Sequence, residues 1–126
     1  MAIVGCGIDL AKVSRFQRLI DEKKRALLER LFTPTELDYA LAFKRGGEHL
    51  AARFAAKEAF LKALGTGLRF GLSWQQLEVC RDELGCPRLR ASGQALEMLT
   101  AKNGARIHLS YSHDGEYAVA QVILED

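Results

Sequence analysis

Between Arg53 and Gly67 the chain reads Arg-Phe-Ala-Ala-Lys-Glu-Ala-Phe-Leu-Lys-Ala-Leu-Gly-Thr-Gly, one carboxylate among three cations ahead of a glycine turn. Such a set suits a place that holds phosphate and a metal ion together, because phosphoryl transfer asks a protein mainly to position groups and neutralise spreading negative charge. On a helix, Leu50, Phe54, Leu61 and Leu64 share one stripe. Glu58 and Lys62 fall about 40° apart on another, flanked by the small Ala51 and Ala55. Arg53 and Lys57 fall beside the leucine stripe, where a helix built only to pack prefers apolar residues. The segment also has a plain structural reading. Glu58 and Lys62 are an ordinary i,i+4 pair worth about 0.2–0.5 kcal/mol, and Gly65 is an ordinary helix stop.

A second acid stands near the N-terminus, in Gly5-Cys6-Gly7-Ile8-Asp9. It matches neither G-x-G-x-x-G nor G-x-x-x-x-G-K-[ST], so dinucleotide and P-loop binding are not supported. What remains is a carboxylate at a strand end, beside glycines that allow backbone or ligand to approach closely. Capping a turn is the simpler role for Asp9. Magnesium favours one or two carboxylates completed by phosphate oxygens and water, and Asp9 with Glu58 could supply that pair. Lys57 and Lys62 would then neutralise phosphate. His113, in Ser112-His113-Asp114-Gly115, stands near a hairpin tip, where a phosphate contact and a plain surface residue fit equally. His49 and His108 read as structural. A serine-hydrolase triad is a poor fit, since no G-x-S-x-G elbow is present.

The elements that must position these residues follow from the pattern. Residues 2–10, with Ile3, Val4 and Ile8, suit a short opening strand. Ser14 can cap a helix through about Arg30, with a break near the charged Asp21–Arg25 run. Thr33-Pro34-Thr35-Glu36 is a capping box with proline at the first helical position, opening a helix to about Phe43. Lys44-Arg45-Gly46-Gly47 interrupts, and the next helix runs from about Glu48 to Leu64. Ser73 to Gln76 reads as a brief capped turn, then Leu77–Arg81 and Pro87–Arg90 as strands. Ser92 to Lys102 forms a last helix. Arg106–Ser112 and Tyr117–Leu124 alternate strongly and join through Asp114-Gly115, a hairpin signal. The sum is an α+β fold with helices packed on an antiparallel sheet, in a single domain over residues 1–126.

Composition sets the outer bounds. A chain of 126 residues, 48% hydrophobic and 27% charged, suffices for one core. Its net charge of +2 conceals an asymmetry: residues 1–63 hold 12 Lys/Arg against 8 Asp/Glu, and residues 64–126 hold 6 against 8. A basic first half suits an acidic partner or a polyphosphate ligand, and a solvated surface explains it about as well. Cys6, Cys80 and Cys86 are odd in number and carry no C-x-x-C spacing, which points to reduced thiols in a cytoplasm. No run approaches the roughly 20 apolar residues of a membrane span, and the first residues lack the basic start of a signal peptide.

Gly5-x-Gly7-x-Asp9, Arg15 and the Arg53–Gly67 segment together resemble the small bacterial holo-(acyl-carrier-protein) synthases, a family of 4′-phosphopantetheinyl transferases. Phe32-Thr33-Pro34-Thr35-Glu36-Leu37, Gly85-Cys86-Pro87 and the closing hairpin from Ser112-His113 to Gln121-Val122 extend the likeness over nearly the whole chain. The resemblance implies the fold of that family. It implies that Asp9 and Glu58 hold Mg2+ against the pyrophosphate of coenzyme A. A serine of acyl carrier protein would attack the β-phosphorus, leaving adenosine 3′,5′-bisphosphate, in fatty-acid synthesis. Glu58, directly or through a water, is the candidate base, and Lys62 stabilises the pyrophosphate and leaving group. Arg53, Lys57, Gly65, Thr66, Gly67, Ser112 and His113 are the expected coenzyme A contacts, and Arg15 would meet the acidic carrier. A cytoplasmic homotrimer with sites between subunits is implied as well, with neither nucleic acid nor membrane as partner. Two positions depart from the family pattern: Lys12, which would put positive charge one turn beyond Asp9, and Cys86, in place of the usual lysine. A non-enzymatic basic module for an acidic protein or nucleic acid is the rival reading. It would need neither Asp9 nor Glu58. A magnesium phosphohydrolase is another, and it would need no carrier.

Overall fold

The computed structural model describes all residues from Met1 to Asp126. Strand β1 (Ile3–Lys12) leads directly into α1 (Val13–Asp21), followed by α2 (Arg25–Leu31), α3 (Pro34–Leu41) and the long α4 (Gly46–Leu64). A 3₁₀ turn at Trp74–Gln76 precedes β2 (Leu77–Arg81) and β3 (Pro87–Ala91), then α5 (Gly93–Ala101), β4 (Arg106–Asp114) and β5 (Tyr117–Glu125). All pairings are antiparallel, as expected, but the strands form two sheets: β1-β5-β4 and the hairpin β2-β3. The N-terminal strand joins the closing hairpin.

Helix α4 is the centre of the molecule. Its 19 residues contain six alanines and no β-branched residue, a composition that favours helix. Fifteen of them are buried, so the helix is enclosed on nearly all sides instead of presenting a single apolar stripe. Ala59, Ala63, Leu61 and Phe60 meet the inner face of the sheet and the other helices in a core that also takes Phe16, Phe32, Ala118, Ala120, Val122 and Leu124.

The glycines of β1 set how closely strand and helix approach. A Cβ on Gly7 would lie 2.0 Å from the Ala59 carbonyl oxygen, and one on Gly5 would lie 2.3 Å from that of Ala63. Backbone therefore rests on backbone there, and the glycines admit protein, not ligand.

Two boundaries differ from the sequence reading, while the break expected near Asp21–Arg25 is formed, with Lys23 in a left-handed backbone (φ +54°) between α1 and α2. Ser14 is not the cap: β1 runs straight into α1 and Lys12 holds the cap position without a side-chain bond. Gly46 and Gly47 belong to α4 and do not break it; their missing Cβ atoms let Ala40 O and the Gln17 backbone come within 2.6 Å of where a Cβ would stand. The capping box at Thr33 and Glu36 is formed as read.

Candidate active site

Because Gly5 and Gly7 seat β1 directly on α4, the next inward-facing residue, Asp9, reaches the helix surface where Glu58 and Lys62 emerge. Lys62 Nζ donates to Asp9 Oδ1 at 3.0 Å and to the Ile8 carbonyl at 2.9 Å. Asp9 is mostly buried, with its side chain 18% exposed, whereas that of Lys62 is 53% exposed and open to a ligand. Glu58 lies half-buried beside them. Burial pushes its carboxyl above the usual range, and the neighbouring Asp9 charge adds to that, while Lys62 and Arg15 pull it back. Two carboxylates, one lysine and one arginine thus share a small volume, although Asp9 and Glu58 are far apart in sequence.

Arg15 extends from α1 with its guanidinium 5.2 Å from the Phe54 ring, one helical turn before Glu58. Lys62 lies one turn after it, and Gly65 closes the helix with φ +82° while its N–H donates to the Leu61 and Lys62 carbonyls. A Cβ on Gly65 or Gly67 would meet nothing within 4 Å. Unlike Gly5 and Gly7, these glycines border open space, beside the exposed end of Lys62.

Arg53 and Lys57 do not join the site. Lys57 is fully buried: its Nζ bonds Glu36 Oε1 at 2.6 Å and donates to the Leu31 carbonyl at 2.9 Å and the Trp74 carbonyl at 3.3 Å. Glu36 in turn accepts from the backbone N–H of Thr33 and of Val79. Arg53 is 2% exposed, stacked 4.5 Å from the Tyr39 ring centroid and bonded to the His49 carbonyl. The expected phosphate contacts from these two side chains are therefore corrected: both charges are turned into the protein, and their breach of the leucine stripe marks a buried polar network. Glu36, read from sequence only as a helix cap, is the partner that the sequence reading missed. The unexplained cation at Lys57 was the signal that a buried acid had to exist.

Ser112 and His113 also stand apart from the cluster within one chain. Strand β5 separates β4 from β1, with Asp9 opposite Ala120 and Ser112 opposite Val119. Strand alternation sends Ser112 to the face opposite Asp9. His113 Nδ1 lies 4.0 Å from Glu48 Oε2, ten residues before Glu58 and so about 15 Å along α4. Lys12 is a further correction. It lies on a strand, three residues beyond Asp9, and points to the opposite face, lining instead an open groove of about 1020 Å³ in which Arg15, Arg18, Lys44 and Arg45 outnumber Asp21, Glu22 and Glu116 and leave a modest basic excess. His108 is exposed, 3.1 Å from Glu125, and carries no structural load in the core.

No set of three or more His, Cys, Asp or Glu side chains is placed to hold a metal alone. A pair of carboxylates suits a hard divalent cation that takes its remaining oxygens from phosphate and water. The arrangement can bind a pyrophosphate through Lys62 and such a cation, and offers Glu58 as a proton acceptor.

Comparison with known proteins agrees in family. Residues 5–122 match the family described as the 4′-phosphopantetheinyl transferase superfamily. A Trichlorobacter lovleyi protein named holo-(acyl-carrier-protein) synthase is 56% identical over 123 residues, covering 98% of both chains. The holo-(acyl-carrier-protein) synthase of Neisseria meningitidis superposes with a TM-score of 0.88 at 34% identity, over 99% of this chain and 100% of that one. The Bacillus anthracis enzyme of the same name, in complex with CoA (3′,5′-ADP), gives 0.78 at 40% identity, over 97% and 96%.

Proposed function

The chain belongs to the 4′-phosphopantetheinyl transferase superfamily, and from that premise we propose that it moves 4′-phosphopantetheine from coenzyme A to a serine of apo acyl carrier protein. The observation that carries the reading to particular residues is the meeting of Asp9, Glu58 and Lys62 at the seam of β1 and α4. The carrier serine oxygen bonds to the β-phosphorus, the bond from that phosphorus to the bridging oxygen breaks, and adenosine 3′,5′-bisphosphate leaves. Glu58 takes the serine proton. Its raised affinity for protons, from burial and the Asp9 charge, brings it nearer to what a base working close to neutrality needs. Lys62 donates to the pyrophosphate oxygens that gain charge as the bond breaks. Asp9 and Glu58 would hold Mg2+, which when bound neutralises and orients the pyrophosphate.

Arg15 flanks Glu58 at the edge of the basic groove, where an acidic carrier would approach. Gly65, Thr66 and Gly67 frame the pyrophosphate beside Lys62. Ser112 and His113 would serve coenzyme A only from a neighbouring copy, which fits a homotrimer with shared sites. In support, the outer face of the β1-β5-β4 sheet exposes Ile8 at 58%, Leu10 at 61% and Tyr117 at 48%, more apolar surface than a lone sheet face usually leaves to water. A core cluster that takes residues from β1 to β5 supports one transferase domain over residues 1–126. No helix is long and apolar enough to cross a membrane, and the three free cysteines suit work in the cytoplasm, in fatty-acid synthesis. The rival reading, a non-enzymatic basic module, gains no support from relatives that are named as synthases.

The test is the intact mass of apo acyl carrier protein after incubation with this protein and coenzyme A, with magnesium and with chelator. A phosphopantetheine gain that requires the metal is expected. No gain with any of several carriers, from a folded protein, would overturn the reading, and coenzyme A cleavage without a carrier would point to a hydrolase.

A further inference from the structure

On α1 and α2, Arg18 and Arg25 each bond an acid four residues further on, Glu22 at 2.6 Å and Glu29 at 3.1 Å. Arg15 has Leu19 at that spacing, and its guanidinium rests against rings instead. It lies 5.3 Å from the Phe16 centroid and 5.2 Å from that of Phe54. Those two rings are 5.2 Å apart and inclined at 43°, so they form a notch with the cation equally far from both walls. Attraction of this kind comes from the ring quadrupole and not from an acceptor atom. The N–H groups of Arg15 are therefore left for something outside the chain.

The notch is firmly backed. Phe32 meets Phe16 edge-on at 6.0 Å, and Trp74 lies 5.0 Å from Phe54. One ring each from the α2–α3 junction, α1, α4 and the 3₁₀ turn thus stand in a row. Phe16 is fully buried and Phe54 is 7% exposed. Below the row runs the buried network, with Lys57 Nζ 5.3 Å from the Phe32 ring and bonded to the Trp74 carbonyl. A free arginine loses rotamer freedom when it meets a partner. One already lodged in a rigid notch has less to lose.

We propose that Phe54, with Phe16 beside it, is a positioning residue for the transfer: it fixes the Arg15 guanidinium one turn of α4 before Glu58, with its N–H groups free to receive a carboxylate of the acidic carrier. This rests on the transferase reading above and on the role given there to Arg15, and says what aims that side chain. The planar fork of a guanidinium matches a carboxylate bidentately only when its orientation is held, so aiming it acts on carrier recognition and not on coenzyme A.

The test is steady-state transfer with carrier and coenzyme A varied in turn, together with thermal melting, for the unaltered protein, Phe54→Leu, Arg15→Gln and the double variant. Phe54→Leu should raise the carrier KM about two- to fivefold, the scale of one cation–ring contact, and leave kcat and the coenzyme A KM within about twofold. In the Arg15→Gln background it should add nothing, because the side chain it aims is gone. Phe54→Tyr keeps the ring and should hold the carrier KM near its original value. An equal rise of the carrier KM in both backgrounds would overturn the proposal, as would an effect of Phe54→Leu confined to kcat or to the coenzyme A KM, since either shows a ring that only packs the site. Should Phe54→Leu fail to fold, nuclear Overhauser contacts between the Arg15 side chain and the Phe16 and Phe54 rings in the unaltered protein decide: they are expected, and their absence would sink the notch. Failure of the unaltered protein to transfer at all, with those contacts present, would instead remove the transferase reading, and this inference with it.

Discussion

Replacing Glu36 with Gln tests the buried network most directly. Lys57 and Glu36 are 0% and 1% exposed and 2.6 Å apart, and at an effective dielectric of ~20 their attraction is about 6 kcal/mol. Glutamine keeps the shape and an oxygen for the Val79 N–H but removes the charge. Lys57, already pulled below its ordinary 10.5 by burial with Glu36 opposing, then has only the Leu31 and Trp74 carbonyls. Its cheapest response at pH 7 is to lose its proton, at a ceiling of about 5 kcal/mol from 1.36 kcal/mol per unit of pKa. A loss of roughly 3–5 kcal/mol is therefore expected, equivalent to a fall of roughly 10–20 °C in Tm. In the variant the unfolded chain binds a proton at Lys57 that the folded chain does not. Stability should then rise with pH from 7 toward 10.5, and the deficit should shrink. Urea unfolding at pH 7 and 9.5, at one protein concentration so that association adds no term of its own, measures both effects. The double variant Glu36→Gln with Lys57→Met should recover most of the loss. A deficit under about 1 kcal/mol at pH 7, or a double variant weaker than the single one, would refute the account of Lys57 as a buried charge held by Glu36.

Three further outcomes follow from the site. Glu58→Gln should lower transfer by about 10²–10⁴-fold, the usual scale for a general base, yet leave Tm at pH 7.5 equal or higher. The folded-state pKa of Glu58 is raised, so its contribution to stability is present below its ordinary 4.5 and lost as pH rises; a lower Tm in the variant at pH 7.5 would contradict this. Gly7→Ala puts a methyl 2.0 Å from the Ala59 carbonyl, so β1 must lift from α4; transfer should collapse with a stability loss of at least about 2 kcal/mol, and an active, stable variant would show that the contact does not set the site. Arg15→Gln should raise the carrier KM severalfold and shift the acidic limb of the pH–rate profile upward, because a charge that lowers the Glu58 pKa is gone; an unmoved limb would place Arg15 away from Glu58.

Much of this was legible in the sequence, for physical reasons. The capping box at Thr33–Glu36 and the alternation of Arg106–Ser112 and Tyr117–Leu124 are local signals, and local signals survive into the fold. The pairing of Asp9 with the Glu58 helix was expected from the family resemblance, and Gly5 and Gly7 explain it only once their contact with Ala59 and Ala63 is seen. Arg53 and Lys57 were misread because helical periodicity gives the direction of a side chain but not what waits there. Glu36 lies 21 residues from Lys57, and no local pattern announces a partner at that distance. The left-handed backbone of Phe70 (φ +58°), in the loop after α4, was silent too, since a phenylalanine there is what sequence rules argue against.

The bare contact between β1 and α4 also governs what the site can tolerate. Ordinary interfaces between a strand and a helix are cushioned by side chains, which can be trimmed or re-rotamered when a pocket must widen. Between Gly7 and Ala59 there is no cushion, because main chain already touches main chain and glycine offers nothing left to remove. The span from Asp9 to Glu58 is thereby a fixed gauge. If Asp9 and Glu58 hold a cation as proposed, one of larger radius would have to be accommodated by the water and phosphate around it. Selection for a new specificity has purchase on the rim of this site and almost none on its hinge.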